Sequence, residues 1–138
     1  MSDKLFTIEE ANELLPELMQ DLHQLQEMTG SFEELYTELQ KNKAKWKRAA
    51  TPAKEMEDDP FFEAESRLEF MRMEVELFLQ NFGRKGVLLK MINPGLIDFP
   101  AVVDGEDVLL CWKQGEERVT HYHSLYEGFV GRKLHPDA

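Results

Sequence analysis

From Ile8 to Leu39, side chains return at alternating intervals of three and four: Ile8, Ala11, Leu15, Leu18, Leu22, Leu25, Thr29, Phe32, Tyr36 and Leu39. That spacing keeps one seam on one face of an α-helix. Only Thr29 in the series is polar, and Leu14, Met19, Met28 and Leu35 widen the stripe. Thr7 followed by Glu10 is a capping-box start, so a long helix is predicted over 7–48. Pro16 lacks an N–H and its ring presses on the carbonyl of Asn12, which predicts a kink or a restart there. Gly30 costs only about 1 kcal/mol relative to alanine and leaves the phase of the seam intact. Thr51-Pro52 breaks the pattern, and Asp58 or Asp59 ahead of Pro60 caps a second helix over 60–82. Its seam is Phe61, Ala64, Leu68, Met71, Val75, Phe78 and Phe82, closed by Gly83 and Gly86.

At 1.5 Å per residue the first helix is roughly 60 Å long and the second roughly 35 Å. Folded back as an antiparallel, coiled-coil-like hairpin, the second covers only the distal part of the first. Leu14, Leu15, Leu18, Leu22 and Leu25 are then left for the C-terminal segment or another subunit to cover. A homodimer is the expectation.

After Gly86 the period shifts toward two and turn signals come close together at Asn93-Pro94-Gly95, Asp104-Gly105 and Gln114-Gly115-Glu116. Strands are predicted near 87–92, 96–103, 107–113 and 118–123, giving an antiparallel unit of three to four strands over 87–123 and a C-terminal turn and tail over 124–138. The fold class is α+β in a single domain, 1–138. A hairpin about Asp104-Gly105 puts Ile97, Phe99, Ala101 and Val103 on one apolar face with Val108, Leu110 and Trp112. Asp98, Leu109 and Cys111 take the other. Carrying the same parity onward assigns Val119, His121 and His123 to the apolar face and Tyr122 to the opposite one, unless a bulge at Gly115 swaps the last strand.

Composition narrows the classes. The 138 residues carry 27 acidic and 16 basic side chains, a net charge of −11 that repels phosphate backbones and anionic lipid at long range. Nucleic-acid binding is not expected. The basic stretch Lys41, Lys43, Lys45, Lys47 and Arg48 around Trp46 reads as a helix C-terminus, neutralised by Glu55, Glu57, Asp58 and Asp59. No apolar run approaches the roughly 20 residues of a membrane span, so neither membrane insertion nor secretion is expected. One cysteine, Cys111, excludes an intrachain disulfide and fits a reducing cytoplasm.

Chemistry concentrates in the last third. His121 and His123 lie on one side of a strand and Glu127 follows four residues on, a set that fits an open divalent-metal site with Asp98 as a further oxygen ligand. Zinc or manganese is the alternative to the primary expectation of no cofactor. Cys111 has no orienting base in the predicted register and reads as a small buried hydrophobe. The glycines of Gly128-Phe129-Val130-Gly131-Arg132 read as turn positions, with Phe129 in the core and Arg132 paired to Asp98 or a neighbouring carboxylate. Asp98, Cys111 and Arg132 are the candidate ligand or anion site. His135 is assigned to a solvated tail. No phosphate loop, dinucleotide fingerprint, serine triad or zinc-protease motif is present.

Several of these residues also carry a likeness. Phe6-Thr7, Glu10-Ala11-Asn12 and Leu14-Leu15-Pro16, then Gly95 through Ala101, Leu110-Cys111-Trp112-Lys113, Gly115-Glu116, His123, Gly128-Phe129 and Gly131-Arg132 resemble the uncharacterised prokaryotic proteins filed as domain of unknown function family 2203. The resemblance covers nearly the whole chain and implies no assigned activity. Tyr122 and His123 match the family pattern, while Ser124 stands where an acidic residue is common and His121 falls outside it. It singles out Asp98, Cys111, His123 and Arg132. The balance favours a non-catalytic interaction or scaffold protein self-associating through its helical hairpin or docking a protein partner. The alternative is a small metal- or ligand-binding enzyme with its site on the C-terminal sheet.

Overall fold

A computed structural model describes residues 4–49 and 59–138. It shows an α+β chain, two helices followed by a five-stranded antiparallel sheet. The predicted break at Thr51-Pro52, the Asp58 cap and the acidic residues Glu55, Glu57 and Asp58 lie outside the described residues.

Helix α1 (Ile8–Arg48) starts at the predicted capping box. The Thr7 N–H donates to Glu10 Oε1 at 2.9 Å and the Glu10 N–H donates to Thr7 Oγ1 at 3.1 Å. The helix passes Pro16 and Gly30 without restarting. The one hydrogen bond that Pro16 removes is outweighed by the turns around it, whose Ala11, Leu15 and Leu18 are all buried. Helix α2 (Phe62–Arg84) begins two residues later than predicted, because Asp59 instead organises a preceding turn. Its carboxylate accepts the Phe61 N–H at 2.9 Å and its carbonyl the Phe62 N–H at 3.4 Å.

The sheet comprises β1 (Leu88–Met91), β2 (Leu96–Val103), β3 (Glu106–Lys113), β4 (His121–Ser124) and β5 (Lys133–Leu134), in that spatial order. The fifth strand is a correction to the predicted three or four. Two residues, Lys133 and Leu134 opposite Tyr122 and His121, are too few to carry a readable period.

The chain divides into two compact units, Met1–Gln26 with Leu79–Ala138, and Glu27–Phe78. In the first, Ile97, Phe99 and Ala101 of β2 oppose Trp112, Leu110 and Val108 of β3, as the hairpin register predicts. This face meets the start of α1. The rings of Phe6 and Phe99 stand edge to face at 5.3 Å, and the Phe6 N–H donates to Pro100 O at 2.7 Å. Leu15, Leu18, Leu22 and Leu25 are at most 2% exposed. The leucine strip that the sequence left open is therefore covered within this unit, except for half-buried Leu14, and its burial does not call for a second copy.

Gly95 lies under this strip. A Cβ built on it would fall 2.2 Å from Leu22 Cδ2, and Leu22 is itself fully buried. Gly95→Ala is therefore expected to lose about 1–3 kcal/mol by overpacking. The urea midpoint followed by Trp112 fluorescence in a Trp46→Phe background measures it. A loss below about 0.5 kcal/mol would show that the Leu22 side chain can yield.

In the second unit Leu39 and Leu68 are buried. Lys43 Nζ bonds Glu65 Oε2 at 2.6 Å and Trp46 stands edge-on to Phe61 at 6.0 Å. These contacts rise along α1 as they fall through α2 to the turn before it, the order of antiparallel helices. They also occupy two residues of the basic stretch, Lys43 and Trp46. Among the described residues no helix is long and apolar enough to cross a membrane.

Candidate functional site

The second face of the sheet carries the polar groups. Asp98 sits opposite Cys111, Cys111 opposite His121, and Leu109 opposite His123, so all five residues share that face. This corrects the placement of both histidines. Residues 114–120 form an irregular loop, turned at Gly115 with φ +108° and pinned by the Trp112 indole N–H donating to Glu116 O at 2.9 Å. A loop of that kind does not transmit strand parity. Tyr122 consequently falls opposite Leu110, and Val119, although buried as predicted, precedes β4 rather than belonging to it.

Three groups converge beneath this face. Asp98, Cys111 and His123 are 2%, 1% and 3% exposed, and each offers a ligand atom within 4.8 Å of the other two. His123 Nε2 lies 3.3 Å from Asp98 Oδ2, while Nδ1 lies 2.8 Å from Ser124 O. A carbonyl only accepts, so Nδ1 carries the donated proton. Nε2 is then left facing a carboxylate oxygen. Asp98 Oδ1 has no hydrogen-bond partner among the described residues and is out of contact with solvent. Burial raises the Asp98 pKa above the ordinary carboxylate range, against the pull of His123. Burial, and then the Asp98 charge, push the Cys111 thiol up to about 12. A thiol so protonated is no resting nucleophile.

Arg132 closes one side. It does not pair with Asp98: its guanidinium forms a two-pronged bond to Glu116, with Nη1 to Oε1 at 3.0 Å. Glu116 Oε1 also accepts the Lys113 N–H at 2.8 Å, and the Glu116 pKa falls although its burial opposes the fall. Phe129 is half-buried rather than a core plug, with Arg132 Cζ at 4.1 Å and Lys113 Nζ at 5.1 Å from its ring centre. Of the predicted metal set, His123 and the further ligand Asp98 belong to the convergent group, and His121 and Glu127 do not. His121 Nδ1 lies 2.8 Å from Thr120 Oγ1, and exposed Glu127 accepts the Ser124 N–H at 3.2 Å. His135 is not a solvated tail residue. It is buried, its N–H donates to Thr120 O at 2.8 Å, and its ring meets Tyr122 edge-on at 6.0 Å.

A different surface lies on the second unit. Phe62, Phe70, Met73 and Leu77 of α2 are exposed at 66%, 62%, 50% and 60%. At 100° per residue they fall in a sector of roughly 80°, opposite the seam of Leu68, Met71, Val75 and Phe78. The sequence reading registered that seam and missed this stripe, although its intervals of eight, three and four residues were available to find it.

A family model described as "Uncharacterized conserved protein (DUF2203)" matches residues 4–134. No curated protein and no solved structure matches the chain.

Proposed function

We propose, from the premise that the chain belongs to the DUF2203 family of uncharacterized conserved proteins, that it is a non-catalytic interaction protein which self-associates through the outer face of α2. The observation that carries this reading is the exposed stripe of Phe62, Phe70, Met73 and Leu77. Two copies set antiparallel about Phe70 bring Phe62 against Leu77 of the partner subunit and Phe70 against its own counterpart. The flanks then complement each other. Arg67 falls beside Glu74 of the partner subunit, and Arg72, already bonded to Glu69 and Glu76 of its own helix, beside Glu69 of the partner subunit.

The stripe offers roughly 450 Å² per chain, or roughly 900 Å² for a pair, below the standard size of a stable interface. The expected dimer is therefore weak, with a Kd in the micromolar to millimolar range. Sedimentation equilibrium from about 1 μM to about 1 mM tests it. Phe70→Glu abolishes the dimer, Arg67→Glu weakens it, and adding Glu74→Arg to Arg67→Glu restores it. Under mild oxidation Phe70→Cys cross-links to a dimer, whereas Phe62→Cys, far from its own counterpart, does not. Monomer at every concentration, with no Phe70→Cys cross-link, refutes the proposal.

A further inference from the structure

We propose that Asp98, Cys111 and His123 form a three-ligand site for a divalent cation of the zinc class. The first support is geometry. Zinc bonds of about 2.0–2.3 Å in tetrahedral array separate neighbouring ligand atoms by roughly 3.3–3.8 Å. The Asp98 to His123 separation of 3.3 Å already has that value, and the Cys111 sulfur is within 4.8 Å of both.

The second support is how the imidazole is held. Donation from Nδ1 to the Ser124 carbonyl at 2.8 Å fixes the ring and leaves Nε2 as the nitrogen turned to the site, an outer-shell arrangement common to metal-ligating histidines. Nε2 and Asp98 Oδ2 then face each other at 3.3 Å, long for a hydrogen bond, and two acceptor atoms at that distance require a proton or a metal ion between them. Something electropositive belongs between them. The third support is the partnerless Asp98 Oδ1, a buried acceptor of the kind that proteins rarely leave unmade.

Charge and softness select the ion. A carboxylate, a thiolate and a neutral imidazole carry two negative charges, so a dication leaves the buried site neutral. A thiolate favours zinc over magnesium, calcium or manganese. On binding, the Cys111 S–H bond breaks and its proton leaves to solvent as the metal–sulfur bond forms. If a proton lies between Asp98 and His123, it leaves as well.

The test uses full-length protein prepared without a metal-affinity tag. Elemental analysis after incubation with zinc is expected to give one ion per chain, and the melting temperature to rise with zinc concentration. Cobalt(II) in place of zinc is expected to give intense visible bands of a tetrahedral ion and a thiolate charge-transfer band in the near ultraviolet. Cys111→Ser removes that band and weakens binding at least tenfold. His121→Ala and Glu127→Gln leave both unchanged. Because the charge-transfer band is read on the unmodified chain, a variant that fails to fold does not blur the result. No stoichiometric zinc, an unmoved melting temperature and no charge-transfer band would show that a proton alone fills the space, and would overturn the proposal.

Discussion

Truncating Phe99 to alanine is expected to lower the unfolding free energy of the sheet-bearing unit by about 3–5 kcal/mol, the range for a large aromatic removed from a closed core. Phe99 is fully buried between β3 and the start of α1, and its neighbours Ile97, Leu110 and Trp112 are no more than 1% exposed. The edge-to-face contact with Phe6 adds a pairwise part. A cycle of Phe6→Ala, Phe99→Ala and the double variant is expected to show coupling of about 0.5–1.5 kcal/mol. Trp46 and Trp112 lie in different units, so a Trp46→Phe background lets fluorescence in urea report the sheet-bearing unit alone. A loss under about 1 kcal/mol would mean that this face is not the shared core described above.

Asn12→Ala is expected to cost about 2–4 kcal/mol, although alanine is the better helix former by about 0.6 kcal/mol. Just as Gln26 ties α1 to the start of the loop before β4 through Gln114, Asn12 ties it to the loop's end. Its Oδ1 accepts the Val119 N–H at 2.7 Å, and its Nδ2 donates to Val119 O at 3.0 Å and to Ile8 O at 2.9 Å. Val119 is fully buried and outside any strand, so no ladder partner replaces the lost bonds. Two backbone groups become orphans together, and their desolvation outweighs the gain in propensity. The same urea transition reads the loss, and faster exchange of the Val119 amide localises it. An unchanged exchange rate would show that Asn12 is not what holds the loop.

The contrast between these two residues shows what the sequence could disclose. Phe99 was legible: period-two alternation and the Asp104-Gly105 turn placed it in the core and put Asp98 on the same face as Cys111. Asn12 was not, because its partner Val119 is 107 residues away and nothing local marks a side chain that bonds a distant backbone. The candidate centre divides along the same line. Asp98 and Cys111 follow from one tight hairpin, but His123 lies beyond an irregular loop whose path depends on Glu116, Trp112 and Arg132. Parity carried across that loop put both histidines on the wrong face. The leucine strip stayed open between two covers, the C-terminal segment and a second copy, for a related reason. Period and spacing count apolar positions, but they do not say which later segment returns to cover them.

One turn sets the arrangement of the whole hairpin. Asp104 and Gly105 both take positive φ, 51° and 78°, and join Val103 directly to its opposite number Glu106. Every cross-strand pair from there to Leu96 and Lys113 inherits its phase from those two residues. Insert a single residue that no bulge absorbs, and Cys111 would turn to the face of helix α1 while Leu110 turned to the face of Asp98. The thiol and the core leucine thus answer to the same two-residue ruler, and neither can drift in register while the other stays put. Change at the face that carries Asp98 and Cys111 and change in the hydrophobic interior are locked in step by a bend that touches neither.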